Sequence, residues 1–189
     1  MSNLRQCGLV WHMYAEDWKA TFPHNGDTYY GDWSLLTIPV HAAIRDGGYG
    51  VKAGKVFYCP NFSKVYTFPG AAESYWSVPL GWTSPNSHRI AYAIYANQYY
   101  AFWYNTTLGN NLPPPEKTTD PDLARLPLMF DETAVSGGAD FTITFHRRNN
   151  TPLGGNALYG DGHVQWRNWG EMILVMYAGG GPGTFDRYY

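Results

Sequence analysis

The chain has 189 residues, 15 % of them charged and 17 % aromatic, and a net charge of −2. That length suits one domain with a real hydrophobic core, and the weak negative charge gives no footing for nucleic acid or an anionic membrane surface. No run of about 18 apolar residues occurs, so nothing in the sequence itself spans a bilayer and the chain is expected to be soluble as written.

The first element is a helix over 2–21. Leu4, Cys7, Gly8, Trp11, Tyr14, Ala15 and Trp18 recur at three- and four-residue steps, one face of a 3.6 period. Arg5, Gln6, Glu16, Asp17 and Lys19 form the polar side. Ser2 or Asn3 caps the start, and Phe22-Pro23 ends it, because a residue before proline avoids the α region. Residues 33–45 suggest a second, shorter helix interrupted at Pro39, and 54–62 (GKVFYCPNF) suggests a strand and a turn.

From about 63 to 125 the chain is rich in Tyr, Trp, Pro, Asn and Thr. Residues 88–102 fit a strand or a helix equally. Residues 110–122 are a surface loop, since Pro113 to Pro115 cannot donate to a ladder. Beyond this, 125–132 (RLPLMFDE) reads as a strand, and 140–146 (DFTITFH) alternates and is β-branched, which makes it another. Residues 156–166 form two strands about Asp161-Gly162, a dipeptide suited to a type I′ turn. The last apolar segment, EMILVMYAGGG, ends in glycines. There is no internal repeat. A helix followed mostly by strands is an α+β order, with the helix packed across an antiparallel sheet.

Three groups of residues invite a chemical reading. His146, Asp161 and His163 offer two imidazoles and a carboxylate, which suit zinc or a similar ion, or general acid–base work. Against this, Asp161-Gly162 serves the turn, no third ligand has a characteristic spacing, and no nucleophile with a base partner is identifiable. The balance favours a structural hairpin, with neither metal nor catalysis. Asp131, Glu132 and Asp140 supply oxygens, yet the loop between them lacks a calcium pattern. The aromatics Trp76, Trp82, Tyr92, Tyr95, Tyr99, Tyr100, Trp103 and Tyr104 crowd one segment. They build a core or, through Trp76, Trp82, Tyr99, Tyr100 and Trp103, a surface for a polysaccharide or protein partner. Cys7 and Cys59 are too few for a disulfide scaffold; they pair once or stay free, and spacing does not choose.

Four blocks carry a family likeness: NLRQCGLVWHMYAEDWKATFP at 3–23, KVFYCP at 55–60, PLMFDE at 127–132, and FHRRNNTPLGGNALYGDGHVQW at 145–166. In this order they resemble the type IV pilin-like pseudopilins with a prepilin-type processing-associated H-X9-DG C-terminal domain, a group also described as a domain of unknown function. His146, Asp161, Gly162 and His163 fall on its signature. Fourteen residues separate His146 from Asp161, where the family name counts nine, with an extra loop at 148–153 between them. Cys7 stands where the family has an aliphatic residue.

The resemblance implies a single pilin-like head over 1–189, with helix 2–21, a variable insertion at about 63–125 and a C-terminal sheet at about 125–177. It implies a structural, non-enzymatic subunit, a pseudopilin or minor pilin of a type II secretion-like or type IV pilus-like filament. Its partners would be other subunits and a secreted protein or polysaccharide cargo. The major pseudopilins commonly hold calcium, which keeps calcium beside zinc as an ion to test. Family members carry a basic leader, a cleavage site and about 20 apolar residues ahead of this point. The full-length protein is then expected to be anchored in the inner membrane by that helix, with the head outside the cytoplasm, in the periplasm or at the cell surface. The expected explanation for the start at Met1 is a chain trimmed in mid-helix, against a natural soluble relative. The alternative function is a carbohydrate-binding or adhesion module built on the aromatic insertion. The glycosylation pattern at 105–107 (NTT) is, in a bacterial-type pilin, a coincidence.

Overall fold

Leu4, Cys7, Val10, Trp11, Tyr14 and Ala15 lie on the buried side of the first helix, α1 (Ser2–Asp17). The computed structural model describes residues 2–23, 35–49, 54–61, 87–89, 92–94, 114–131, 133–136, 140–149, 151–172, 174–176 and 185–188. The helix stops four residues short of the expected end at 21. Lys19 and Ala20 turn left-handed, with φ of 56° and 62°, and the Ala20 N–H returns to the Ala15 carbonyl at 2.8 Å, the closure of a Schellman-type end. The following residues pair sideways instead. Phe22 N–H donates to the Glu116 carbonyl and Thr118 N–H to the Ala20 carbonyl, each at 2.8 Å. The stop therefore comes from this pairing rather than from Pro23. Trp18, expected on the packing face, is 50 % exposed and stacks on Tyr14 with ring centroids 5.2 Å apart.

Strand β1 (Leu35–Thr37) runs straight into α2 (Ile38–Asp46). Thr37 caps α2, its Oγ1 accepting from the Val40 N–H at 3.4 Å. Pro39 therefore does not interrupt a helix. It sits in the first turn, where a missing N–H removes no helical bond. Among the described residues 54–61 the strand expected before the turn is also absent. Lys55–Phe57 is a short 3-10 helix entered through Gly54 at φ 65°. Its carbonyls serve α1 instead of a ladder: Cys7 Sγ donates to the Val56 oxygen at 3.3 Å and Asn3 Nδ2 to the Tyr58 oxygen at 2.9 Å. Phe57 is fully buried and packs on Trp11, centroids 5.5 Å apart.

The remaining strands are β2 (Ser87–Arg89), β3 (Tyr92–Ile94), β4 (Pro127–Asp131), β5 (Thr133–Ser136), β6 (Asp140–Thr144), β7 (Arg147–Arg148), β8 (Thr151–Pro152), β9 (Gly154–Tyr159), β10 (Val164–Asn168), β11 (Leu174–Met176) and β12 (Phe185–Tyr188). They make two four-stranded antiparallel sheets among the described residues, in the orders β10-β9-β4-β3 and β11-β12-β5-β6. The short pairs β1-β2 and β7-β8 stand apart from them. The expected C-terminal sheet at 125–177 is thus divided between two sheets, and it recruits β3 from before it and β12 from after it. The chain is α+β, with helices and antiparallel sheets.

Strands β4 and β9 are buried along their whole lengths, so both faces of the first sheet's centre are covered. Leu128, Met129 and Leu158 share one core cluster with Leu4, Val10, Trp11, Ile44 and Phe57. Gly8 lets α1 come close at this point: a Cβ there would lie 2.8 Å from Leu158 Cδ1. Among the described residues no helix is long and apolar enough to cross a membrane.

Candidate functional site

At the tip of the β9–β10 hairpin only Gly162 has a positive φ, 88°. The loop is three residues long: Tyr159 N–H donates to the His163 carbonyl and Gly162 N–H to the Tyr159 carbonyl, each at 2.9 Å. This is a tight turn followed by a glycine bulge, not the expected type I′ turn, in which Asp161 would also need positive φ. Asp161 Oδ1 accepts from the His163 backbone N–H at 3.1 Å and its ring Nδ1 at 2.6 Å. The His163 ring stacks on Tyr159, centroids 4.3 Å apart, and Arg167 Nε donates to the Tyr159 hydroxyl at 3.0 Å. Slight burial pushes the Asp161 carboxyl up, but the bonds from the His163 N–H and ring outweigh it and hold it below its ordinary value. Both side chains are about two-fifths exposed, at 41 % and 43 %. Their hydrogen bonds close within the turn.

His146 does not join them. It follows β6, where the chain leaves the second sheet after Phe145, and its Nε2 lies 2.9 Å from Asp131 Oδ2. Asp131 ends β4, opposite Tyr92 in β3, and is 2 % exposed against 22 % for His146. The same Oδ2 accepts from the Asn156 backbone N–H at 2.8 Å and from its Nδ2 at 2.7 Å. Cys59, in the turn after the 3-10 helix and buried, brings its Sγ to 3.9 Å from His146 Nε2. The imidazole edge meets Trp166, centroids 5.2 Å apart, and the His146 carbonyl accepts from the Leu153 N–H at 2.9 Å.

Hydrogen bonding to Asp131, and then to Cys59, raises the His146 imidazole from 6.5 to about 9 against the opposing effect of burial. Tyr92 faces the same interior: burial pushes its phenol up, and Cys7, Asp131 and Cys59 add to the push, while a hydrogen bond with Asn3 opposes them. Cys7 and Cys59 are both free thiols, and burial raises Cys7 well above its usual value.

What this junction can do follows from which atom meets which. A nucleophilic relay uses both imidazole nitrogens, one toward the thiol and one toward the orienting carboxylate. Here Cys59 and Asp131 both address Nε2. A carboxylate oxygen only accepts, so the proton on Nε2 is committed to Asp131 and that nitrogen cannot take one from the thiol. The sulfur, the nitrogen and a carboxylate oxygen all lie within 4.8 Å of one another.

The pattern also brings together residues that stand far apart in the chain. Asn3 and Cys7 bond to 56–58, Cys59 meets His146, His146 meets Asp131, and Asp131 holds Asn156. Asp131 is taken up in this way; of the two other acids read with it, Glu132 and the Asp140 side chain lie outside the described residues. Of the expected aromatic surface, Trp76, Trp82, Tyr99, Tyr100 and Trp103 lie outside the described residues. Sequence reasoning singled out His146 but gave it the wrong company. Its signals for Cys59 and Asp131 were slight, a thiol before Pro60 and an acid closing an apolar strand. No protein-family model, no curated protein and no solved structure matches the chain.

Proposed function

We propose that this chain is the head of a pilin-like structural subunit, a pseudopilin or minor pilin of a type II secretion-like or type IV pilus-like filament. In this reading α1 continues a long N-terminal helix and lays its buried stripe on the antiparallel sheet. The full-length protein is held in the inner membrane before assembly, and the head lies outside the cytoplasm, against neighbouring subunits and protein or polysaccharide cargo. The role is one of assembly and contact, with no chemical step.

One observation carries the proposal. The four sequence blocks on which the family likeness rests meet in space. Asn3 and Cys7 of the first reach the second at Val56 and Tyr58; Cys59 of the second reaches His146 of the fourth; and Asp131 of the third binds both His146 and Asn156 of the fourth. Motifs that are separate in sequence and joined in the fold are what a shared scaffold requires.

Leu9 gives the test. It is 64 % exposed on α1, away from the core, so its substitution leaves the head intact. A processing leader and an apolar half-helix are joined upstream of Ser2, and the chain is expressed in a bacterium with a type II secretion system. Membrane insertion, leader removal and cross-linked multimers through Leu9→Cys are the expected result, with multimers lost in Leu9→Arg. A folded head that is processed yet stays monomeric at every concentration would sink the reading.

A further inference from the structure

We propose that Cys59, Asp131 and His146 bind one zinc-class divalent ion, with a water in the fourth position. Three separate elements deliver the ligands: the turn after the 3-10 helix, the end of β4 and the exit from β6. Their donor atoms all fall within 4.8 Å of one another. Around a tetrahedral zinc with bonds of about 2.0–2.3 Å, such atoms sit about 3.3–3.6 Å apart. The observed separations, 2.9 Å for nitrogen to oxygen and 3.9 Å for sulfur to nitrogen, bracket that value. The sulfur-to-oxygen separation is bounded by the same 4.8 Å, so the Cys59 thiol and the Asp131 carboxylate draw toward each other as the ion binds.

The bonding pattern favours an ion over a simple ion pair. A thiol and a carboxylate converge on one imidazole nitrogen, which has a single proton to share and commits it to the carboxylate. A cation between the three satisfies all of them at once, the thiol as thiolate. One sulfur, one nitrogen and one oxygen donor make a set that suits zinc or cobalt, whereas a thiolate is a poor ligand for calcium or magnesium. The supporting contacts are those that orient metal ligands elsewhere. Asn156 holds the Asp131 carboxylate with two bonds, Trp166 sets the plane of the His146 ring, and the Leu153 N–H ties down the His146 backbone. Cys59 and Asp131 are buried, while His146 is partly open to solvent, and that open side leaves room for the water.

The test begins with the chelator-treated, refolded 189-residue chain titrated with Co2+ and then with Zn2+ as competitor. One equivalent of Co2+ should bind, with a thiolate-to-cobalt charge-transfer band in the near ultraviolet that Zn2+ abolishes. The band should be absent in Cys59→Ser and present in Cys7→Ser. His146→Gln should weaken binding by tenfold or more, and Asn156→Ala, which acts through the orientation of Asp131, by about 10–100-fold. Asp161→Asn and His163→Ala should change nothing. Circular dichroism of each metal-free variant separates lost binding from lost folding. Should Cys59→Ser fail to fold, the wild-type band and the His146→Gln variant, whose side chain is partly solvated, decide the matter. A folded wild-type chain that takes up no stoichiometric Co2+ or Zn2+ overturns the proposal, as does uptake unchanged in Cys59→Ser or abolished by His163→Ala alone. None of these readouts depends on filament assembly.

Discussion

Two aspartate–histidine pairs, alike in composition and in contact distance, differ in almost every consequence. Asp161 and His163 are two residues apart, stand in solvent at the hairpin tip and meet at 2.6 Å. Asp131 ends β4, His146 follows β6, and they meet at 2.9 Å with the carboxylate buried and the imidazole half-buried. The shorter contact is the less consequential one. Exposed pairs gain little, because water screens both charges and both side chains lose freedom. A buried pair cannot be half removed without leaving a desolvated group unmatched. The first pair trims a turn; the second joins the end of β4 to the exit from β6 and to the Cys59 turn. Burial and the number of chain segments tied together rank the two, and distance does not.

The strongest way to break this contrast is Asp131→Ala. It strands the Asn156 N–H, its amide and the His146 ring at once, and should cost about 3–5 kcal/mol in urea unfolding. Trp11→Ala sets the scale for pure packing in the same core. Its ring is fully buried against Phe57, so a loss of about 3–5 kcal/mol is expected. An unchanged thermal midpoint would mean that α1 does not use this face.

A pH series sharpens the comparison without mutating the acid. The His146 imidazole lies higher in the folded chain, at about 9, than its ordinary 6.5. The stabilisation is therefore complete below about 6.5, declines between 6.5 and 9, and is gone above about 9. The metal-free thermal midpoint should fall across that window in the wild type, and this component of the fall should vanish in His146→Gln. At the hairpin, Gly162→Ala forces a side chain into φ 88° and should cost about 1 kcal/mol. Smallest of all, Asp161→Asn should change stability by no more than about 1 kcal/mol. A loss there as large as that of Asp131→Ala would erase the distinction between the two pairs.

The parts of the fold that were legible are those that local chemistry decides. The buried stripe of α1 could be read because Leu4, Cys7, Trp11 and Tyr14 share one helical face whatever lies opposite. Strands β4 and β6 followed from their own apolar and β-branched runs, and the β9–β10 hairpin from the two runs on either side of Asp161-Gly162. The errors lie where a distant segment intervened. The end of α1 depends on Glu116 and Thr118 pairing beside Ala20 and Phe22. The 3-10 helix at 55–57 depends on Asn3 and Cys7 claiming carbonyls that a strand would have used. Pro39 was misjudged for a different reason: the same ring that breaks a helix interior starts a helix when a capping Thr37 precedes it.

The sequence by itself determined the α+β order, the amphipathic first helix, the hairpin and the presence of His146, Asp161 and His163, because periodicity and turn chemistry act over a few residues. Only the tertiary structure decided the company each histidine keeps. His163 finds its acid within its own turn, where two residues of chain suffice. His146 finds Asp131 and Cys59 across 15 and 87 residues, a meeting set by sheet register and by the seating of α1, neither of which is written in any local stretch. Which groups share a buried junction is a property of the packed core, since removal from water gives their contacts consequence.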